Sequence, residues 1–130
     1  MNVPSNLKYT ESDEWVLVEG TTATIGVTDY AQEALSDVVF FKAVVSVGDS
    51  IKAKSQIATL ESVKAAADVN APLAGKILEV NEDLGSSPEL VNSDPYGKAW
   101  MVKLEIADPA ALSKLMDAAA YEKFLETRSH

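Results

Sequence analysis

The sequence contains no cysteine, and its one histidine is His130, the last of 130 residues. Without cysteine the chain has no disulfide, no thiolate nucleophile and no cysteine-ligated metal. Chain ends fray, so a positioned catalytic role for His130 is not expected. The six glycines are scattered, which leaves no glycine-rich loop to cradle a phosphate. The acidic residues show no metal-ligand spacing, so the sequence predicts neither an independent enzyme nor a metal site.

Basic residues are also few: 11 Lys and Arg against 20 Asp and Glu give a formal net charge of −9. A surface of this sign repels nucleic-acid phosphates and anionic lipid headgroups, so we expect no nucleic-acid and no membrane partner. No run approaches the roughly 20 apolar residues of a membrane-spanning helix. Residues 1–8 have neither a signal-peptide core nor an arginine-rich transit pattern. We therefore expect a bacterial cytoplasmic protein, or the mature form of a mitochondrial one.

The apolar pattern predicts a mostly β protein, folded as one domain over residues 1–130. Residues 15–18 are apolar and precede a Glu-Gly turn, and residues 22–27 alternate, which predicts a strand with one buried face. The β-branched and aromatic run 38–41 predicts another strand, and residues 47–84 predict several short strands separated by turns. Because proline cannot donate to a ladder, we expect Pro72 at a strand end or edge.

Two further segments complete the predicted elements. Thr28 or Asp29 can cap a short helix over residues 30–35. Asp108 and Pro109 combine an N-cap with proline at the first helical position, and apolar residues at helical spacing follow, so we expect one or two C-terminal helices. The clearest strand covers residues 100–106, with one face formed by Trp100, Val102, Leu104 and Ile106 and the other by Met101, Lys103 and Glu105.

Lys64 lies midway between two strand-like segments, where the tip of a hairpin would lie. Small residues flank it, and Glu61 and Asp68 lie three residues before and four residues after it. An exposed turn would let a modifying enzyme reach the amine, and the two carboxylates could make recognition contacts. The residues alone leave two interpretations open: a modified lysine, or one of many surface lysines.

The sequence around Lys64 resembles the lipoylation site of glycine-cleavage H proteins. The resemblance rests on residues 60–65, continued by residues 68–69 and 71–75. Further blocks resemble the family in the same order along the chain, namely residues 7–10, 13–16, 25–32, 79–81, 90–92 and 94–97, followed by Trp100. Several blocks in the right order are far more specific than a single lysine motif.

The resemblance implies a flattened antiparallel β-sandwich or barrel of the lipoyl-domain type, with a short internal helix and C-terminal helices. It implies that Lys64 carries lipoic acid through an amide bond. Glu61 and Gly75 match positions linked in the family to recognition by the lipoylating enzyme. Ser12, Glu14 and Asp68 match surface positions that contact the aminomethyl-loaded arm, although a plain surface or turn role fits these three residues equally well.

The function that the resemblance implies is that of a non-catalytic carrier. It would take the aminomethyl group of glycine from the pyridoxal-phosphate-dependent glycine decarboxylase (P protein) to the aminomethyltransferase (T protein). Dihydrolipoyl dehydrogenase (L protein) would reoxidise its arm, and a lipoate ligase or lipoyltransferase would attach it.

Other functions remain open at this point. A lipoyl relay protein that donates lipoate to 2-oxoacid dehydrogenases would share the same lysine block. A biotin carrier fits less well, because methionines usually flank its lysine, whereas Val63 and Ala65 flank Lys64. A β-sandwich interaction protein with an unmodified Lys64 is a further alternative, and an independent enzyme is the weakest.

Three features depart from the family pattern. Asp13 stands where the family usually has histidine, and Ser36 replaces a glycine before Asp37. The segment 41–48 lacks the usual Leu-Pro pair and is one residue longer. We expect these departures to alter the docking surface near the arm and to leave the lysine block unaffected.

Overall fold

The computed structural model describes residues 2–128, so His130 lies outside the described residues. Within this range the chain is mostly β, with antiparallel strands in a six-stranded sheet, order β1-β2-β3-β9-β8-β5, and a three-stranded sheet, order β4-β6-β7. Together they form an open, barrel-like sandwich. The strands are β1 (Lys8–Tyr9), β2 (Glu14–Glu19), β3 (Thr22–Val27), β4 (Val38–Ala43), β5 (Ser50–Ile51), β6 (Gln56–Ser62), β7 (Ala66–Asn70), β8 (Gly75–Val80) and β9 (Val102–Ile106).

The helices are short and lie between and after the strands. They are α1 (Asp29–Leu35), α2 (Asp83–Ser86), α3 (Leu90–Ser93), a 3-10 helix (Pro109–Lys114) and α4 (Ala118–Arg128). Thr28 is the N-cap of α1, because its hydroxyl accepts from the backbone N–H of Ala31 at 3.3 Å. The predicted N-cap of the first C-terminal helix is also confirmed. The side chain of Asp108 accepts from the backbone N–H of Ala110 at 3.1 Å, at the start of the 3-10 helix. None of these helices is long and apolar enough to cross a membrane.

Two hydrophobic cores hold these elements together. The larger core takes side chains from both sheets, and among its fully buried members are Val16, Ile25, Leu60, Ile77 and Leu104. The smaller core lies on the other face of the six-stranded sheet, where α4 packs against the strands β1 and β2. Its buried members are Leu7, Tyr9, Trp15, Tyr121 and Leu125.

The smaller core explains why one prediction for β3 is wrong. Residues 22–27 do form a strand, but both of its faces are buried rather than one. The indole of Trp15 lies across Gly26, where an added Cβ would come within 2.7 Å of the ring. The indole N–H also donates to the carbonyl of Pro95 at 2.9 Å, which fixes the ring over the second face. The alternation within residues 22–27 could not predict that this second face is buried, because the ring that covers it belongs to another strand, β2.

The prediction for residues 100–106 is confirmed in part. The strand β9 begins at Val102, and its residues Val102, Leu104 and Ile106 are buried as expected. Met101 is fully buried as well, although the alternating pattern placed it outside. The N–H of Met101 donates to the carbonyl of Ile25 at 2.7 Å before the regular ladder of β9 starts. The alternation therefore holds only from Val102 onward.

The short strands expected between residues 47 and 84 are present, and they are separated at the expected turns. Pro72 follows the end of β7, where it needs no ladder hydrogen bond.

Candidate functional site

The hairpin of β6 and β7 places Lys64 at its tip. The two strands pair antiparallel up to Glu61 and Ala66, which leaves a short connection from Ser62 to Ala65. Lys64 is exposed in this connection, and its amine forms no hydrogen bond or ion pair within the described part of the chain. The predicted position of Lys64, exposed in a tight turn between antiparallel strands, is confirmed.

Ser62 holds the turn together without using the side chain of Lys64. Its hydroxyl accepts from the backbone N–H groups of Lys64 at 3.3 Å and Ala65 at 3.0 Å, and donates to the carbonyl of Ala65 at 3.1 Å. Sequence reasoning did not identify this role, although serine is a common residue in turns of this kind. The N–H of Val63 also donates to the carbonyl of Asp37 at 3.1 Å, which ties the tip to the start of β4.

Glu61 and Gly75 lie in different surroundings. Glu61 is exposed on β6, three residues before Lys64. Gly75 is buried at the start of β8, in the other sheet, where it pairs with Ile106 of β9. An added Cβ would collide with the carbonyl of Glu105 and lie 2.7 Å from the side chain of Leu104. The requirement for glycine at this position is therefore explained by the close approach of β8 and β9.

Ser12, Glu14 and Asp68 line one cleft, which has a volume of about 220 Å³. Apolar side chains line the same cleft, among them Leu60 and Val69 of the β6–β7 hairpin. Asp68 also belongs to this hairpin and lies in β7, four residues beyond Lys64 in sequence. The structure therefore brings these three predicted residues together, and it joins their cleft to the hairpin that presents Lys64.

Glu14 is buried, which corrects the expectation that it lies on the surface. It is 1% exposed, because it begins β2 and turns its carboxylate inward beneath the preceding loop. One carboxylate oxygen accepts from the hydroxyls of Thr10 and Ser12, both at 2.6 Å. The other accepts from the backbone N–H of Asn70 at 3.2 Å. Burial raises the pKa of Glu14 above its usual range, with these hydrogen bonds acting in the opposite direction.

Ser12 and Asp68 are exposed, as expected for surface positions. The carboxylate of Asp68 accepts from the side-chain amide of Gln56 at 3.0 Å. The cleft thus combines one buried and one exposed carboxylate with apolar walls. A protonated amine attached to an apolar chain fits such a lining, because its charge is balanced while its chain leaves water.

Sequence reasoning did not identify two further residues of the cleft. The guanidinium of Arg128 lines it and donates to Asp13 at 2.6 Å and 3.1 Å. The ring of Tyr30 lines it as well. In the sequence, Asp13 was identified only as a departure from the family pattern. No local feature indicates that its ion-pair partner is Arg128, 115 residues further along the chain.

The other two departures do not line this cleft. Ser36 ends α1 with a φ of 64°, the left-handed region that glycine adopts most easily. The segment 41–48 borders a second cleft of about 420 Å³, which none of the predicted site residues lines. Within residues 2–128, no group of three or more His, Cys, Asp or Glu side chains is arranged to hold a metal ion.

The chain is similar over nearly its whole length to one family of known proteins. Residues 7–128 match the family model described as glycine cleavage H-protein. The glycine cleavage system H protein of Carboxydothermus hydrogenoformans is 50% identical over 124 residues, which cover 95% of each chain. That of Bacteroides thetaiotaomicron is 51% identical over 122 residues, 94% of this chain and 96% of the relative. The crystal structure of a glycine cleavage system H protein from Mycobacterium marinum superimposes with a TM-score of 0.84 at 28% identity, covering 98% of this chain and 100% of that one.

Proposed function

This chain belongs to the glycine cleavage H-protein family, and we propose that it is the lipoyl carrier of a glycine cleavage system, with Lys64 as the attachment site. It would receive the aminomethyl group of glycine from the decarboxylase (P protein) and deliver it to the aminomethyltransferase (T protein). Dihydrolipoyl dehydrogenase (L protein) would then reoxidise the arm. In this function we propose that the chain is a non-catalytic subunit and acts as a single lipoyl-carrier domain. We place it in the bacterial cytoplasm, in line with its bacterial relatives.

The observation that carries the proposal is the exposed amine of Lys64 at the hairpin tip. Because Ser62 maintains the turn, Lys64 is free to form an amide with lipoic acid without loss of a structural contact. Glu61 is exposed on the same hairpin and is placed to contact a lipoate ligase or lipoyltransferase. Gly75 would act indirectly, by keeping β8 close to β9. Acylation makes the amine neutral and changes the formal charge from −9 to −10.

When bound, the lipoyl group supplies a dithiolane that accepts the aminomethyl group as its disulfide is reduced. The residues of the chain would then shelter the carried amine. Leu60 and Val69 exclude water from one part of the cleft, while the carboxylates of Glu14 and Asp68 balance a positive charge. Ser12 holds the carboxylate of Glu14 in place through its 2.6 Å hydrogen bond. Such a cleft would protect the aminomethyl group, the cargo of the arm, from hydrolysis while the chain passes from one enzyme to the next.

A tethered carrier works through effective concentration. A group attached to Lys64 remains within reach of each enzyme that docks on the hairpin, so it is not diluted into solution. The cleft, which the hairpin lines in part with apolar and acidic side chains, would bind the carried group between two transfers.

The proposal is tested by decarboxylation of glycine. Carboxyl-labelled glycine and the cognate decarboxylase are incubated with the lipoylated chain or with the unmodified chain. We expect labelled carbon dioxide to be released rapidly only with the lipoylated chain. A lipoylated chain that gives no release above the unmodified control would instead support the relay function, in which lipoate is handed to 2-oxoacid dehydrogenases.

A further inference from the structure

Arg128 joins the end of the chain to the loop that carries the acidic residues of the cleft. Its two terminal nitrogens donate to the two carboxylate oxygens of Asp13, at 2.6 Å and 3.1 Å. Such a two-point contact fixes the relative orientation of both groups, unlike a single ion pair. The carboxylate of Asp13 retains only 13% of its exposure, so water screens the pair weakly.

Aromatic rings hold the guanidinium in this position. Its central carbon lies 4.5 Å from the ring centre of Tyr30 on α1 and 5.2 Å from that of Phe124 on α4. Contacts of this kind attract a cation to the ring face. The hydrogen bond to Asp13 raises the pKa of Arg128 further above its usual range, so its charge is permanent. Arg128 is therefore held by both helices.

Asp13 is held from its other side by a chain of hydroxyl groups. The hydroxyl of Tyr121 donates to the carboxylate at 2.8 Å. Because this proton is used on Asp13, the hydroxyl of Thr28, 2.7 Å from that of Tyr121, must donate to it. Thr28 also caps α1, and its N–H donates to the backbone carbonyl of Asp13 at 3.0 Å. The side chain and backbone of Asp13 are thus fixed together.

The backbone at Asp13 decides where its neighbours point. Asp13 has a φ of 72°, a left-handed conformation that aspartate and asparagine adopt more readily than most other residues. This conformation sends Ser12 and Glu14 to the same side, where their polar atoms meet at 2.6 Å. Both residues line the cleft.

We propose that Arg128 is a positioning residue of the cleft: by clamping Asp13, it keeps Ser12 and Glu14 in the arrangement that receives the carried amine. The inference rests on the proposed carrier function. Among the described residues that line the cleft, Arg128 is the only cation, and its charge is already balanced by Asp13. In the part of the chain that the structure describes, no cation forms an ion pair with Glu14 or Asp68, so the charge of these two carboxylates is left for the cargo to balance.

The first test uses the unmodified chain and does not depend on lipoylation. Hydrogen exchange is measured at the amides of Asp13, Glu14 and Thr28, each divided by the rate at the buried residue Ile77 of β8, whose amide donates to the carbonyl of Asp49 at 2.8 Å. In Arg128→Gln we expect these ratios to rise about tenfold, as expected from the loss of a hydrogen bond to a charged group. Asp13→Asn should give a rise in the same direction, because asparagine tolerates the left-handed backbone but offers Arg128 one uncharged acceptor in place of a two-point charged contact.

The second test measures how long the cargo survives. Each variant is lipoylated, loaded from glycine with the decarboxylase and assayed for release of ammonia without the transferase. We expect release from Arg128→Gln to be about fivefold faster than from wild type, a typical size for coupling through intermediate residues. Arg128→Lys should fall between the two, since lysine restores the charge but not the two-point contact. Lys123→Gln removes the same charge from an exposed position on α4 and should release ammonia at the wild-type rate.

The outcomes separate this inference from the proposed function. Unchanged exchange ratios in Arg128→Gln and Asp13→Asn would overturn the positioning role, whatever the cargo does. Release rates that rise equally in Arg128→Gln and Lys123→Gln would also overturn it, because a general loss of charge would then explain them. If wild type itself cannot be loaded from glycine, the carrier function fails, while the exchange ratios still decide whether Arg128 orders the loop.

Discussion

The hairpin tip and the cleft are built in opposite ways. The tip is exposed, and Ser62 holds its turn with hydrogen bonds that span at most three residues. The cleft is partly buried, and its contacts span long distances in sequence: 56 residues from Glu14 to Asn70 and 115 residues from Asp13 to Arg128. Changes at the tip should therefore affect chemistry with little effect on stability, whereas changes at the cleft should affect both.

The largest effect is expected at the tip itself. Lys64→Arg should abolish lipoylation completely, because the guanidinium is not an amine that can be acylated. Thermal unfolding should remain at the wild-type temperature, since no structural contact of the Lys64 side chain is lost. The measurement is intact mass after co-expression with a lipoate ligase, together with calorimetry. An adduct on this variant would show that the attachment site lies elsewhere.

Gly75 tests the contrast between the exposed tip and the buried parts of the molecule. It is buried between β8 and β9, although the resemblance links it to lipoylation. In Gly75→Ala the new methyl group would press on β9, and we expect the free energy of unfolding to fall by about 3 kcal/mol. Lipoylation should fall with the folded fraction as temperature rises. Gly85→Ala is the matched control, since its Cβ would meet open space and stability should not fall. Urea unfolding of both variants decides; equal stabilities would refute the close-approach explanation.

Glu14 is expected to show an intermediate effect on both properties. Glu14→Gln keeps the size of the side chain and removes the charge, so lipoylation should be unchanged while ammonia release from the loaded protein quickens several-fold. An interaction with a buried carboxylate can exceed the roughly 0–1 kcal/mol of an exposed pair. Equal rates of ammonia release from wild type and variant would show that Glu14 does not protect the carried aminomethyl group.

The stability of Glu14→Gln should also depend on pH in a defined direction. Burial raises the pKa of Glu14 above 4.5, its usual value, so the folded state holds this proton to higher pH than the unfolded state. The charged carboxylate therefore costs stability at neutral pH, and this cost is lost as pH falls through the raised pKa. Relative to Glu14→Gln, wild type should therefore gain stability as the pH falls from neutral towards 4.5, the usual pKa of this group. Urea unfolding across this range checks the slope, and a constant difference would contradict it.

The smallest effect is expected at Glu61, the exposed neighbour of Lys64. Glu61→Gln should slow lipoylation a few-fold, because one recognition contact with the modifying enzyme is weakened. Stability should change by no more than about 0.5 kcal/mol, as for most exposed substitutions. Initial rates of lipoylation with a purified ligase provide the measurement, and Glu19→Gln, exposed at the far end of β2, is the control. A rate equal to that of the control would remove Glu61 from recognition.

The same comparison explains what the sequence could predict. The tip is local, so small residues and strand-like flanks were sufficient to place Lys64, and the caps at Thr28 and Asp108 depend on neighbours in the same way. The burial of Glu14 was missed because the residues that cover it are brought by the loop before it and by Asn70. The resemblance named three residues that line one cleft, Ser12, Glu14 and Asp68, but it did not indicate that Glu14 is buried.

The errors in the strands have the same origin. The second face of β3 is covered by Trp15, whose indole is fixed by the carbonyl of Pro95, 80 residues further along the chain than Trp15. Met101 precedes the regular ladder of β9, and its side chain packs in the larger core. Alternation describes a strand correctly only where a sheet has one solvent face, and long-range packing removes that condition here.

The central claim is that Lys64 carries the aminomethyl group of glycine. The most direct measurement is peptide mapping by mass spectrometry, after co-expression with a lipoate ligase and incubation with the decarboxylase and glycine labelled at the methylene carbon. We predict one lipoyl adduct, located on Lys64 and bearing one labelled carbon. An adduct on another lysine, or an adduct on Lys64 that never acquires the label, would contradict the account.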